Sequence, residues 1–157
     1  MKKLIITSVL AIMPFFTFAQ QAFDKFENQE GIDGVIINEK LIDVLGGLKL
    51  TGAAQEAEGY LKKVKSFESF RVFSTSDKKH AREMRNTVEG YLKKHPMDEL
   101  MTVKEEGTLI KIYMVNGATA SEIKELIVFT NNEKDNETML VSFIGNIDLA
   151  SEQVNSK

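Results

Sequence analysis

The chain has 157 residues and no cysteine, with 20 lysine and arginine residues against 23 aspartate and glutamate residues and a net charge of −3. Without cysteine it has no disulfide framework, no thiol nucleophile and no thiolate metal ligand, so apolar packing must hold the fold. The acidic balance argues against general nucleic-acid binding, which normally needs a basic excess.

The first nineteen residues have the three-part layout of a secretory signal peptide. Lys2 and Lys3 form a positive start, and residues 4–19 carry no charge. Thr17 and Ala19 are the small residues that a leader peptidase recognises before its cleavage site. A helix of this apolar length would rise only about 24 Å, which is shorter than the roughly 30 Å hydrocarbon core. We therefore expect cleavage after Ala19. Because no cysteine follows for lipid attachment, the expected product is periplasmic or secreted and not a lipoprotein.

The mature chain is expected to form one domain over residues 20–150, since this length is typical of a single hydrophobic core. Residues 151–157 are mostly polar and predict a frayed C-terminal tail. Loss of the leader also removes two lysines and lowers the net charge by two, to −5.

The first half of this domain predicts helices and a short strand. Two phenylalanines three apart predict a short helix over residues 22–29, and the apolar run at 34–38 predicts a buried strand. Helical spacing of apolar residues predicts two more helices, one capped by Asn38 and one over residues 53–64.

A phenylalanine-rich segment, residues 66–75, predicts a second strand. Phe67, Phe70 and Phe73 are three apart, so they cannot all lie on one face of a strand. A core role is therefore favoured over a ladder that stacks on nucleic-acid bases.

The longest predicted helix covers residues 78–94, with Asp77 as its N-cap and Pro96 beyond its end. One side of this helix is an apolar arc that consists of Ala81, Met84, Val88, Tyr91 and Leu92. Beside the arc lies a cationic stripe, which is formed by Lys78, Arg82, Arg85 and Lys93. The stripe predicts a surface for lipid head groups, acidic glycans or an acidic partner. The alternative is a solvated face that is paired with carboxylates elsewhere on the domain, and Glu89 within the stripe favours that alternative.

Four strand-like runs follow, separated by turn residues, and they predict an antiparallel meander at 100–104, 108–115, 122–130 and 138–145. The run at 147–154 predicts a final helical turn. Both faces of the second run are apolar, since Ile110, Ile112 and Met114 alternate with Leu109, Tyr113 and Val115. The predicted fold is α+β, with an antiparallel sheet made of the four-strand meander plus one or two N-terminal strands and helices packed on one face. Either a partner covers the second face or the sheet is sandwiched within the monomer.

The sequence contains few signs of a reaction centre. His80 and His95 are fifteen residues apart, about 22 Å along a helix, so they cannot share one metal ion, and surface or capping roles are favoured for both. The acidic run at 131–137 lacks the central glycine and distal glutamate of a calcium loop and predicts a hairpin turn. We assign no catalytic residue, no metal site and no cofactor.

The leader that ends in FAQ is followed by FDKFENQEGIDGVIINEKLIDVL, the phenylalanine-rich strand, a helix that ends in YLKK and four closing strands. This arrangement resembles an exported family of Bacteroidota known only as domain of unknown function 4252, over nearly all of the mature chain. The resemblance implies an α+β envelope protein without established activity. Such proteins are often encoded near genes for extracytoplasmic-function sigma factors, which implies a role in an envelope stress or signalling circuit. The resemblance carries no functional residues.

We therefore expect a non-catalytic exported protein that binds a protein, another envelope component or an anionic membrane surface, and that does not bind nucleic acid. The binding surface would be the cationic stripe or an exposed sheet face, and a homodimer through that face is included. The alternative is a small hydrolase whose carboxylates converge only in the fold. A pocket with two carboxylates, or with one carboxylate beside His80, would favour this alternative.

Overall fold

The computed structural model describes residues 17–40 and 64–149, with side chains described at 21–40 and 68–149. In chain order the elements are α1 (Thr17–Asp24), β1 (Asp33–Asn38), β2 (Val64–Thr75), α2 (Lys78–Lys94), β3 (Asp98–Glu105), β4 (Thr108–Asn116), β5 (Glu122–Asn132) and β6 (Glu137–Asp148). The six strands form one antiparallel sheet in the order β1-β2-β6-β5-β4-β3. The predicted α+β class is confirmed.

The four C-terminal strands form the predicted meander, in which each strand pairs with the next along the chain. The two N-terminal strands extend the sheet beyond β6, because β2 pairs with β6 and β1 pairs with β2. The strands are longer than the sequence predicts, since backbone pairing continues through polar residues such as Asn131 and Asn132. Hydrogen bonding between strand backbones does not require hydrophobic side chains, so the hydrophobic pattern of the sequence underestimates the length of each strand.

Helix α2 carries the chain across one face of the sheet, from β2 to β3 at the far edge. Its seventeen residues rise about 26 Å, and four strand spacings of about 4.8 Å separate β2 from β3. The carboxylate of Asp77 accepts hydrogen bonds from the backbone N–H groups of Lys79 and His80. At the other end the His95 N–H donates to the Tyr91 carbonyl. The predicted cap and both ends of this helix are confirmed.

The hydrophobic core lies between the helices and one face of the sheet. Its fully or nearly buried members are Phe23, Phe26, Phe73, Met84, Val88, Tyr91, Tyr113, Ile127, Phe129, Leu140 and Ile144. Three residues of the predicted apolar arc of α2 are among them, and Ala81 and Leu92 are half-buried. Phe73 belongs to this core, whereas Phe70 points to the opposite face and is half-buried, as the spacing of three requires.

The predicted helix over residues 22–29 has the wrong bounds. Helix α1 ends at Asp24, and the chain then turns, with the Phe26 N–H donating to the Phe23 carbonyl at 3.1 Å. Asn28 has φ 60°, a left-handed conformation that does not continue a helix. Both phenylalanines are nevertheless fully buried, because the turn keeps them on the side that faces the sheet. The predicted cleavage site after Ala19 falls inside α1 and stays a prediction.

Helix α1 is fastened to the sheet by an arginine of β2. The side chain of Arg71 is 10% exposed, and its guanidinium lies 2.9 Å from Asp24 Oδ1 and 3.6 Å from Glu27 Oε1. Because unpaired burial of a guanidinium is costly, these carboxylates fix the position of α1 on the sheet.

The face of the sheet opposite the core is also apolar, as the pattern of β4 predicts. Cross-strand register places Ile112 of β4 beside Val128 of β5, and Val128 beside Val141 of β6, all three half-buried. At the two edges of this face Val35 is 57% exposed and Met101 is 41% exposed. Both described helices contribute to the core on the other face.

Several predictions concern residues that lie outside the described ranges: the leader up to residue 16, the helix capped by Asn38, most of the helix at 53–64 and the tail at 151–157. Three details are wrong where the structure does describe the chain. The strand at 34–38 is not buried, because β1 is an edge strand of the sheet and Val35 and Ile36 are 57% and 40% exposed. Val64 begins β2 and pairs with Ile147, so it does not end a helix. Ile147 and Asp148 belong to β6 rather than to a helical turn, because β6 also pairs with β5 at Glu122.

Candidate functional site: a cationic cleft beside the long helix

The structure brings three of the four residues of the cationic stripe together. Lys78, Arg82 and Arg85 come from the first two turns of α2 and line a cleft of about 310 Å³. The opposite wall is the end of the β5–β6 hairpin. Lys93 does not line this cleft, since it lies eight residues beyond Arg85, about 12 Å further along the helix.

The hairpin wall is shaped by its own side chains. Asn132 Oδ1 accepts hydrogen bonds from the backbone N–H groups of Lys134 and Asp135, at 3.0 and 3.2 Å. Asn132 Nδ2 donates to the Asp135 carboxylate at 2.7 Å. Asn136 has φ 51°, which asparagine tolerates better than most residues. The predicted hairpin turn is thus confirmed, and its asparagines hold the turn that faces the cationic stripe.

The deepest lining residues of the cleft are a cross-strand pair at the base of the hairpin. Asn131 is 8% exposed and Thr138 is 1% exposed, and the two are directly opposite each other in the ladder. The Thr138 hydroxyl donates to Asn131 Oδ1 at 2.8 Å. Within the described part of the chain, the Asn131 amide nitrogen donates no hydrogen bond to any group. A largely buried residue therefore offers a hydrogen-bond donor on the wall of a cationic cleft.

The described residues leave the charges of the cleft unbalanced. Among the residues that the structure describes, Lys78, Arg82 and Arg85 form no ion pair with a carboxylate. Of the residues that line the cleft, Glu133 is the one with a carboxylate, so the lining has an excess of two positive charges. The three side chains are exposed, as the alternative of a solvated face predicts, but the carboxylate partners of that alternative are not found within the described ranges.

The backbone N–H groups of Lys79 and His80 at the start of α2 are not available to a ligand in the cleft. Hydrogen bonds from the backbone N–H groups of His80 and Lys79 lower the pKa of the Asp77 carboxyl, which therefore stays ionised and caps the helix. The donors offered to a ligand are thus side-chain groups.

A second and larger cavity is a groove of about 800 Å³ between α1 and α2, and Arg82 lines both cavities. Lys25, Lys79 and Lys94 also line the groove. The carboxylate that lines this groove belongs to Glu83, which accepts a hydrogen bond from Gln29 at 3.3 Å and lies 3.3 Å from Lys25 Nζ. The Gln29 hydrogen bond is the main cause that lowers the pKa of Glu83.

At the far end of α2 the polar groups satisfy one another. The Tyr91 hydroxyl donates to Glu125 Oε1 at 2.6 Å, and the His95 ring stacks on Tyr91 with 4.4 Å between ring centroids. Burial raises the pKa of the Tyr91 hydroxyl well above its usual range, and burial likewise raises the pKa of Glu125. This cluster fastens the C-terminal half of α2 to β5.

The sequence predicts surface or capping roles for the two histidines, and His95 has a capping role. His95 is the C-cap of α2. His80 Nδ1 lies 3.1 Å from Gln29 Nε2 and 3.7 Å from Glu83 Oε2. The described ranges contain no group of three histidine, aspartate or glutamate side chains that could hold a metal ion.

No helix within the described ranges is long and apolar enough to cross a membrane.

Sequence reasoning identified the cations of the cleft but missed Asn131 and Thr138. These residues flank a turn in the sequence, where asparagine and threonine are ordinary. Only the register of β5 against β6 places them opposite each other and next to α2. Asn131 and Thr138 lie symmetrically about the turn in the sequence. This symmetry indicates a cross-strand pair only once the register of the hairpin is known.

Comparison with known families finds a match to the model of Domain of unknown function (DUF4252) over residues 26–153. Neither the curated proteins nor the solved structures contain a significant match. The matched segment spans the whole sheet, α2 and both walls of the cleft. Because this match covers most of the chain, the protein belongs to the family Domain of unknown function (DUF4252).

Proposed function

We propose that the protein is a non-catalytic exported binding protein of the cell envelope that binds an anionic group in the cationic cleft. The observation that carries the proposal is the convergence of Lys78, Arg82 and Arg85 on one cleft without ion pairs in the described part of the chain. Like charges held close together repel each other, so an anionic ligand would relieve this repulsion and gain charge-assisted hydrogen bonds.

The proposed export and the proposed role in an envelope circuit are supported by observations other than the cleft. The leader-like residues 1–19 support export, and the resemblance to an exported Bacteroidota family supports a role in an envelope stress or signalling circuit. The apolar second face of the sheet supports a protein partner or a second copy of the chain as a further binding partner. Sedimentation of residues 20–157 at two protein concentrations tests self-association. If a second copy of the chain covers this face, a dimer should form at the higher concentration.

The cleft is tested with the double variant Arg82→Glu with Arg85→Glu. Its matched control is Lys93→Glu with Lys94→Glu, which makes the same charge change on the same helix but outside the cleft. Binding is measured by titration calorimetry with tripolyphosphate and by co-sedimentation with phosphatidylglycerol vesicles. The double variant should lose about tenfold or more in affinity for the anion that binds, and the control should stay within about threefold.

Binding should also weaken as salt is added, since exposed charges are screened within about 10 Å at 0.1 M ionic strength. Equal losses in the two variants would assign the effect to net charge alone and contradict a specific cleft. Salt-insensitive binding, or no binding of any anion by the intact protein, would contradict the proposal as a whole.

The second candidate function is a small hydrolase, and one observation favours it. Glu83 lines the groove between the helices, and its Oε2 lies 3.7 Å from Nδ1 of His80, although His80 itself does not line the groove. Glu83 is, however, already bonded to Gln29 and Lys25. Assays with nitrophenyl esters and phosphate esters test this candidate. Turnover that Glu83→Gln abolishes would support it, whereas turnover unchanged in that variant would reject it.

A further inference from the structure

The walls of the cleft differ in depth and in charge. The three cations extend from exposed positions on α2, whereas Asn131 and Thr138 are almost fully buried. A ligand that stays at the level of the protein surface contacts only the cations. A narrow group that enters the cleft can also reach Asn131.

The donors of the cleft match a ligand with more than two acceptor oxygens. Two guanidinium groups, one ammonium group and the Asn131 amide line the same volume of about 310 Å³. A carboxylate has two oxygens in one plane, whereas a phosphate monoester or a sulfate ester presents three oxygens in a tetrahedral arrangement. Arginine forks bind such oxygens in pairs, and the amide adds a donor from a separate direction.

We infer that the cleft binds a terminal tetrahedral oxyanion, a phosphate monoester or a sulfate ester, and that the amide nitrogen of the largely buried Asn131 donates a hydrogen bond to it. This inference rests on the proposed function, because it names the ligand chemistry of the same cleft. The Thr138 hydroxyl positions the amide by donating to Oδ1, which leaves Nδ2 as the end without a partner in the described part of the chain. Glu133 lines the same cleft and limits how much negative charge the ligand can carry there.

The substitution Asn131→Asp tests the role of the amide. The aspartate keeps an acceptor for the Thr138 hydroxyl, so the contact within the hairpin is retained, but it replaces the N–H donor with a second oxygen and adds a negative charge. The matched control is Asn86→Asp. Asn86 is exposed on α2 and lines the groove instead of the cleft, and its substitution changes the net charge equally.

The ligands titrated are inorganic phosphate, phenyl phosphate, sulfate, acetate and phosphatidylglycerol vesicles, with the mature protein at constant ionic strength. We expect phosphate and phenyl phosphate to bind more tightly than acetate, and Asn131→Asp to weaken them about tenfold or more, because a hydrogen bond to a charged group is lost and a negative charge is added beside the anion. Asn86→Asp should change their affinity by no more than about twofold. In the intact protein, the side-chain amide resonances of Asn131 should shift as phosphate is added, a readout that does not depend on how the variants fold.

The outcomes separate this inference from the proposed function. If Arg82→Glu with Arg85→Glu abolishes phosphate binding while Asn131→Asp binds normally and the Asn131 resonances stay unchanged, the inference is wrong and the anion-binding function stands. Binding to vesicles without binding of phenyl phosphate would overturn the inference in favour of a flat lipid surface. Acetate binding as tight as phosphate would overturn the tetrahedral preference. Failure of every anion to bind would overturn both.

Discussion

The polar side chains at the two ends of α2 differ in their hydrogen-bond and ion-pair partners. At the C-terminal end, Tyr91 donates to Glu125 and stacks against His95. At the N-terminal end, Arg82 and Arg85 line a cleft and form no ion pair within the described ranges. Buried polar groups in folded proteins are normally satisfied. The buried cluster at the C-terminal end therefore holds the helix on the sheet, whereas Arg82 and Arg85 are exposed at the end where we propose that a ligand binds.

This difference is not visible in the composition of the helix. Both ends of α2 are rich in cations, since Lys78, Lys79 and Arg82 belong to the first turns and Lys93 and Lys94 to the last. What differs is the strand that each end faces. Glu125 of β5 provides a half-buried carboxylate at one end, whereas the hairpin provides asparagine amides at the other.

The largest effect on stability at these two ends is expected from Tyr91→Phe. This substitution keeps the ring in the core but leaves Glu125 without its 2.6 Å donor, so the free energy of unfolding should fall by about 1–3 kcal/mol. Urea denaturation measures the loss. Affinity of the cleft for anions should stay unchanged. An unchanged unfolding free energy would show that the hydroxyl is not needed to fasten α2.

A pH-dependent effect is expected from Glu125→Gln. Burial raises the pKa of Glu125 above its ordinary value of 4.5, so the folded state binds this proton more tightly than the unfolded state. The stability that protonated Glu125 contributes is present below pH 4.5 and is lost as the pH rises through the folded-state pKa. Glutamine is neutral throughout, so the variant should gain stability relative to the wild type as the pH rises from 4 to 8.

Thermal unfolding of both proteins across this pH range measures the gain. Asp77→Asn is the control of opposite sign and is measured below pH 4, because backbone hydrogen bonds lower the pKa of Asp77. The stability from the charged cap is present above the ordinary pKa of 3.8 and is lost only as the pH falls through the lower, folded-state value. A wild-type protein that parallels Glu125→Gln at every pH would contradict the raised pKa.

The smallest effect is expected from Glu133→Gln in the cleft. Removing the carboxylate that lines the cleft should raise the affinity for an anion by a few-fold, on the order of 0.5–1 kcal/mol for one exposed charge. Calorimetric titration with phosphate measures the change. Glu137→Gln, on the same hairpin but not lining the cleft, is the control and should have less effect. Equal gains in both variants would indicate a general charge effect.

The long helix and the meander could be predicted because local signals determine them. Asp77 before the helix and Pro96 after it act through the backbone of their own neighbours, and turn residues separate the four strands. The end of α1 was harder to predict. A left-handed Asn28 stops the helix, and asparagine adopts that conformation only in some contexts.

The sequence by itself therefore determined the α+β class, the bounds of α2, the apolar character of both strand faces and the set of cations that face away from the core. Each of these depends on residues close together in the chain, where spacing alone sets which side chains share a face. Only the tertiary structure decided which cations converge, since Lys93 lies apart from the cleft and Asn131 joins it from a distant strand. The cleft exists because α2 crosses beside the β5–β6 hairpin, and the position of a helix on a sheet is set by core packing between residues that are far apart in the sequence.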